Sequence, residues 1–332
     1  SSYPRLSRRS RKPPGISRTF DAMASSKAIR QRIRSIRNTA QITKAMEVVS
    51  ATKMRRSQEF AVAARPYAIA ALEILENLLS RTPELPPLLR DREVRSSALL
   101  VATSDKGLAG AFNSNVIKKA DLWVEAKRQE GHPFTLITVG RKARDHFERR
   151  RAPIAQRFWG FGDSSTLDET LPVAEVVMAG FLEGQWDEVE ASYTHFRTTL
   201  TQEAVVRRIL PVTEAGIEGI IAGILPERGR YARGDAKSQE REGRYRYEYL
   251  FEPSPAEILG ALVPRLIRMH IHHIILESNA SEHSSRMVAM KNASDNATDL
   301  ISELTLVFNK ARQAGITREL TEITAGTESL EQ

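Results

Sequence analysis

The sequence contains no cysteine, which excludes a disulfide framework, a thiolate metal site and a thiol redox switch. It has no run approaching the ~18 uninterrupted apolar residues that a membrane-spanning helix needs, so the chain reads as soluble or peripheral. No Ser-His-Asp order, paired-carboxylate motif or HExxH string is present, although catalytic groups far apart in sequence leave no motif. What is there points to a folded protein. The 332 residues allow one large domain or two modest ones, and 41% apolar with 27% charged residues is too apolar for a disordered chain. A formal net charge of +8 implies an acidic partner: nucleic acid, an anionic membrane surface or an acidic protein face.

The first acidic residue is Asp21, preceded by Arg5, Arg8, Arg9, Arg11, Lys12, Arg18 and several serines. That composition is similar to a transit peptide, but Pro4, Pro13 and Pro14 oppose a continuous amphipathic helix, and Met23 offers an alternative start. Residues 1–23 are read as a basic, disordered leader, with targeting as the alternative.

From Ser25 to about Ser80 the sequence is helix-forming, with apolar residues at Ile29, Ile33, Ile36 and Ala40, then Met46, Val49, Met54, Phe60 and Ala64. Arg30, Arg32, Arg34, Arg37, Lys44, Lys53, Arg55 and Arg56 make the flanks basic, and Pro66 should bend or break the helix. The proline-rich Arg81–Arg90 stretch reads as a connector. Ser97–Thr103 and Pro133–Val139 read as strands, and Ser114–Gln129, Arg141–Arg150 and Pro172–Leu182 as helices. Glu188–Arg197 and Ala204–Leu210 read as an antiparallel pair at a sheet edge. A parallel sheet with crossover helices follows. Thr213–Arg246, rich in Gly, Arg and Glu, reads as a mobile loop. Helical periodicity returns from Pro255 to about Thr324, and Met287, Met290, Ser294, Ala297, Ile301, Leu304, Ala311 and Ala314 carry the three-and-four spacing of a coiled-coil seam. Long terminal helices bury their stripes most economically against each other.

The expected fold is therefore α/β plus long helices: an antiparallel coiled coil of the N- and C-terminal helices with an inserted α/β, Rossmann-like domain. The expected segments are a leader at 1–23, an N-terminal coiled-coil helix at 24–90, a central α/β domain at 95–212, a charged loop at 213–247 and a C-terminal coiled-coil helix at 248–332.

The turn Ser104–Asn113, SDKGLAGAFN, follows a strand and precedes a helix, the setting of phosphate-binding loops. It lacks the GxxxxGK[ST] lysine and serine and does not complete GxGxxG, so tight-turn glycines are the favoured reading. His270, His272 and His273 invite a metal, but one helix face supplies only two of them, and partly buried helix histidines are favoured. The first helix lacks the aromatics, interleaved with basic residues, that stacking on bases requires.

Ser35–Gln58, SIRNTAQITKAMEVVSATKMRRSQ, resembles the N-terminal signature of the gamma subunit of F-type ATP synthases. SEHSSRMVAMKNASDNATDLI and LVFNKARQAGITRELTEITAG resemble its C-terminal signature, and SDKGLAGAFN its central-domain motif. The likeness runs from about Ser26 to Ser329 and fails only in the leader and the Thr213–Arg246 loop. It implies a non-catalytic central-stalk rotor that couples proton flow through a membrane c-ring to ATP synthesis in an alpha/beta head. The implied partners are the alpha and beta subunits, an epsilon subunit (delta in mitochondria) and the c-ring. It implies no cofactor, no metal and no nucleic acid. The implied contacts with catalytic subunits are Lys44, Met46, Arg286, Arg312, Gln313 and Thr317. Tyr249 and Glu252 match the foot that meets the c-ring, where Phe251 stands in place of a tyrosine usual in the family. The Thr213–Arg246 loop lies where chloroplast relatives carry a regulatory dithiol, which this chain has no cysteine to form. The expected location is peripheral, on the cytoplasmic face of a bacterial plasma membrane, with an organelle inner membrane as the alternative. On composition alone, a basic coiled-coil nucleic-acid-binding protein is the competing reading, and a small nucleotide enzyme built on the α/β domain follows it.

Overall fold

The computed structural model describes residues 26–63, 74–75, 77–79, 82, 85–162, 165–199, 201–212, 252 and 254–328. The expected leader, the Pro66 break, Tyr249 and the Thr213–Arg246 loop lie outside them. The chain divides into two compact units, one comprising Ser1–Lys44 with Asn292–Gln332 and the other Ala45–Lys291.

The larger unit is built on a five-stranded sheet in the order β3-β2-β1-β4-β5. The strands are β1 (Ser97–Ala102), β2 (Phe134–Val139), β3 (Ile154–Phe158), β4 (Glu188–Phe196) and β5 (Gln202–Leu210). β1 pairs in parallel with β2 and β4, β2 pairs in parallel with β3, and β5 returns antiparallel on β4. All of β1 is buried, as a central parallel strand covered on both faces must be, which is why it reads as a short apolar run without alternation. Its residues divide by face. Ala98, Leu100 and Ala102 join a core with α4 (Leu167–Leu182), while Leu99 and Val101 join a second core with α2 (Phe112–Gln129) and α3 (Arg141–Arg149).

The first core has another contributor. Leu259, Val263, Ile267, Ile271, Ile274 and Ile275, from the early turns of α5 (Pro255–Glu328), are buried in it with Val173, Val177, Phe181 and Tyr193. The 255–291 stretch, read from sequence as part of a coiled coil, is thus the second helix covering this face of the sheet.

Two other expectations change. β3 was not foreseen, because its middle residues Ala155, Gln156 and Arg157 are exposed and only its ends carry large apolar side chains. Helix α4 begins at Leu167, not Pro172. Thr166 caps it, its Oγ1 accepting from the Glu169 amide at 3.4 Å while the Glu169 carboxylate accepts from the Thr166 amide at 3.2 Å. Gly180 in this helix faces Trp186, and a Cβ there would collide with the indole.

α1 (Ser26–Ala63) carries a stripe of buried and half-buried residues: Ile29, Ile33, Ile36, Ala40, Thr43, Glu47, Ser50, Met54 and Ser57. The steps alternate four and three, the repeat of a coiled-coil seam. From Thr43 onward the stripe is largely small and polar. Thr43 Oγ1 donates to the Thr39 and Ala40 carbonyls at 3.1 and 3.0 Å, and Ser50 Oγ to the Met46 carbonyl at 2.7 Å. Hydroxyls satisfied within their own helix can face a partner without leaving an orphan group. Val49, expected on this stripe, is exposed, because the repeat passes through Ser50. The side chain of Phe60 and residue Ala64 lie outside the description.

Beyond Lys291, α5 carries a similar stripe of Ser294, Ala297, Ile301, Leu304, Phe308 and Ala311. Ala314, expected to continue it, is exposed.

Candidate partner-contact surfaces

In open α/β sheets, ligands sit outside the carboxyl ends of the strands where the strand order reverses. Here that point lies between β1 and β4, and the protein's own helix fills it. Ser278 Oγ donates to the Ala102 carbonyl at 3.4 Å and Ser281 Oγ to the Thr194 carbonyl at 3.2 Å. Glu277 Oε1 lies 2.7 Å from His195 Nδ1. Small side chains at 278 and 281 let the helix backbone approach the strand ends closely enough for these bonds.

The histidines sit in the same interface. His270 and His273 are buried, and burial, with smaller contributions from His273 and Arg207, pushes the His270 imidazole down to about 3. His272 is half-buried, 3.0 Å from Thr170 Oγ1, and is also lowered by burial. Among the described residues there is no group of three or more His, Asp or Glu side chains arranged to hold a metal ion. Burial likewise raises Tyr193, with the Glu277 carboxylate adding to the shift.

The Ser104–Asn113 turn is a hub of internal bonds. The Asn113 side-chain carbonyl accepts from the Ser104 amide at 3.0 Å, and the Asp105 carboxylate accepts from the Arg141 amide at 3.0 Å and the Gly160 amide at 2.8 Å. Leu108 and Gly110 adopt the left-handed region, with φ of 64° and 54°. For Leu108 this conformation costs energy and leaves its side chain exposed.

Arg286 reaches this turn. Arg286 is 7% exposed, and its guanidinium lies 2.5 Å from Glu282 Oε1 and donates to the Gly107 carbonyl at 3.3 Å. Sequence reasoning singled out Arg286 for a partner subunit but missed Glu282, His283 and Gly107, its partners within the chain. The i, i+4 spacing of Glu282 and Arg286 was the available signal.

The other expected contact residues lie on helix surfaces. Lys44 is exposed and Met46 half-buried on α1. Arg312, Gln313 and Thr317 are exposed on α5, Thr317 Oγ1 donating to the Gln313 carbonyl at 3.0 Å. Glu252 is exposed at a bend. Lys44, Arg312, Gln313 and Thr317 fall in the smaller unit, and Met46, Arg286 and Glu252 in the larger. Near them are exposed apolar side chains absent from the expected set: Ile42 and Val48 on α1, and Leu306, Ile316, Leu320 and Ile323 on α5. Among the described residues, no helix is long and apolar enough to cross a membrane.

The family profile described as ATP synthase matches residues 25–330. The ATP synthase gamma chain of Chloroflexus aurantiacus is 40% identical over 312 residues, covering 93% of this chain and 99% of the relative. That of Crocosphaera subtropica is 38% identical over 314 residues, covering 93% and 100%. Among solved structures, a chain of the Euglena gracilis mitochondrial ATP synthase rotor superposes with a TM-score of 0.53 at 18% identity, over 88% of this chain and 98% of that one. A chain of the same organism's synthase in rotational state 3 gives 0.56 at 18% identity, over 92% and 94%.

Proposed function

Because the chain belongs to the ATP synthase gamma-chain family, we propose that it is a central-stalk rotor subunit. In this role it couples proton flow through a membrane c-ring to ATP synthesis and hydrolysis in an alpha/beta head. The observation that carries this reading is the pair of stripes with a seven-residue repeat, on α1 and on α5 beyond Lys291. They support an antiparallel coiled coil of the two terminal helices, stiff enough to act as a shaft. The five-stranded sheet is the Rossmann-like domain inserted between the two helices in sequence, and the segments fall at 24–90, 95–212, 213–247 and 248–332.

The mechanism follows from asymmetry. A stiff rod turning inside a ring presents a different face to each catalytic subunit in turn and biases each toward a different nucleotide-binding state. The chain needs no catalytic residues of its own for this, because the ATP chemistry belongs to the head. Lys44, Arg312, Gln313 and Thr317 are the contacts that slide past the head, with Met46 beside them. Exposed charge makes weak, screened attractions that do not lock the rotor. Arg286 contributes by holding the strained Ser104–Asn113 turn in the shape it offers to a neighbour. Tyr249 and Glu252 form the foot toward the c-ring, and an epsilon-type subunit completes the stalk. The protein is peripheral, on the cytoplasmic face of a bacterial plasma membrane, a location supported by its bacterial relatives.

The test is assembly. Co-expressed with alpha and beta subunits of a bacterial relative, the chain should co-purify with the head. In vesicles carrying a complete synthase, Lys44→Ala with Arg312→Ala should lower proton-driven ATP synthesis more than nucleotide affinity. Failure to co-purify rejects the rotor role, and unchanged coupling rejects those two contacts.

A further inference from the structure

Two loops at the carboxyl ends of β1 and β4 grip α5 over its last turns before Lys291. One is the tip of the β4–β5 hairpin, where the Thr198 amide donates to the Thr201 carbonyl at 3.0 Å and the Thr201 amide to the Thr198 carbonyl at 3.3 Å. The other is the Ser104–Asn113 turn.

Gln202 joins the hairpin to the helix. Its Nε2 donates to the Thr199 carbonyl at 2.8 Å and to Ser284 Oγ at 3.1 Å, and its Oε1 accepts from Ser285 Oγ at 2.9 Å. Ser284 Oγ in turn donates to the Thr199 carbonyl at 2.6 Å. The Ser104–Asn113 turn takes the next helix residue, through the bond from Arg286 to the Gly107 carbonyl. Its backbone also lies against the helix, since a Cβ added at Gly110 would stand 3.7 Å from Ala289 Cβ and 3.9 Å from the Ser285 carbonyl.

Successive helix residues point about 100° apart, so Ser284, Ser285 and Arg286 are held at three bearings spread over about 200° of the α5 circumference. Earlier in the helix, Ile267, Ile271, Ile274 and Ile275 are buried against the sheet. Apolar burial resists lifting the helix away but has no direction of its own. Hydrogen bonds weaken steeply when misaligned, so bonds at several bearings resist turning the helix about its axis. Gln202 bonds two adjacent helix residues at once, and it is half-buried, outside the apolar core.

We propose that Gln202 is a positioning residue of the rotor: it locks α5 against rotation relative to the sheet, so that torque in the helix reaches the α/β domain instead of being lost as local twist. The source of the torque rests on the rotor reading, whereas the lock is a property of the chain alone.

Gln202→Met keeps the side-chain length and removes its hydrogen bonds. In the full-length protein, hydrogen exchange over 197–203 should accelerate about tenfold, as expected for the loss of about one net hydrogen bond, with 267–276 unchanged. In a complete synthase with its head immobilised and stalled, the angular fluctuations of a probe on the c-ring should broaden in Gln202→Met. Gln202→Glu, which still accepts from Ser285, should fall between that variant and the parent. A role in stability alone would lower the yield of assembled synthase and leave the stiffness of each assembled molecule at the parental value. The proposal is overturned if exchange over 197–203 is unchanged, or if it accelerates while the fluctuations keep their parental width. A parent chain that does not assemble with the head rejects the rotor reading before any variant is compared, and overturns the torque role with it.

Discussion

Helix α5 is one 74-residue element in two environments. Up to Lys291 it is embedded: buried Ile, Leu, Ser and His side chains face the sheet, α4 and the strand ends, and its polar groups are bonded to specific carbonyls. Beyond that point a stripe with a seven-residue repeat, with its immediate neighbours, is shielded, and most other positions are exposed. Sequence periodicity alone makes the halves look alike, because both repeat at three and four. Stripe width and the partners of the small polar residues distinguish a helix belonging to a sheet's core from one whose outer faces remain available.

Removing Arg286 tests the comparison most severely. Arg286→Met should destabilise the larger unit by about 3–5 kcal/mol, because it leaves the shielded Glu282 carboxylate without its cation. All three tryptophans, Trp123, Trp159 and Trp186, lie in that unit, so urea unfolding followed by tryptophan fluorescence reports it directly. A loss near zero would mean that the Arg286 clamp is no more than a surface pair. Truncation of matched apolar residues comes next. Ile271→Ala, fully buried, should cost about 2–5 kcal/mol. Ile301→Ala, half-buried on the narrow stripe, should cost about 1 kcal/mol by far-ultraviolet circular dichroism. Equal losses would erase the distinction between the halves.

Acid provides the mildest test. The His270 imidazole is held near 3 in the fold, below the 6.5 of an unfolded chain. Between those values the unfolded state binds the extra proton. Stability therefore falls as pH drops below about 6.5, by up to about 1.4 kcal/mol per unit for this group. Urea midpoints from pH 7 to pH 5 should show that slope in the parent and a shallower one in His270→Leu. An unchanged slope would place the acid sensitivity elsewhere.

The long helices and the parallel sheet were legible because strong periodicity and continuous apolar runs survive any tertiary context. β3 was not, since an edge strand with three exposed central residues carries neither signal. The start of α4 was available in the Thr166–Glu169 spacing but was obscured by Pro172, which the helix accommodates in its second turn. The docking of 255–291 on the sheet was concealed by overlap with the seam pattern. Its sequence trace is the small-residue series Ser278, Ala280, Ser281 and Ser284, which permits close backbone approach. Among the proposed contact residues, the exposed positions of Lys44 and Arg312 followed from the helical pattern. The burial of Arg286 did not, because a salt bridge to the preceding turn looks the same in sequence whether it faces water or a core.

The seven-residue repeat of the stripe beyond Lys291 also constrains how this stretch can change over evolution. Each residue advances a helix by about 100°, so the stripe fixes the angle at which Arg312, Gln313 and Thr317 project. Losing one codon between Ile301 and Ala311 would swing all three to a different bearing while leaving composition and helicity almost untouched. Losing seven at once would shorten the stretch but restore their heading. Length variants in this stretch are therefore expected to come in whole repeats.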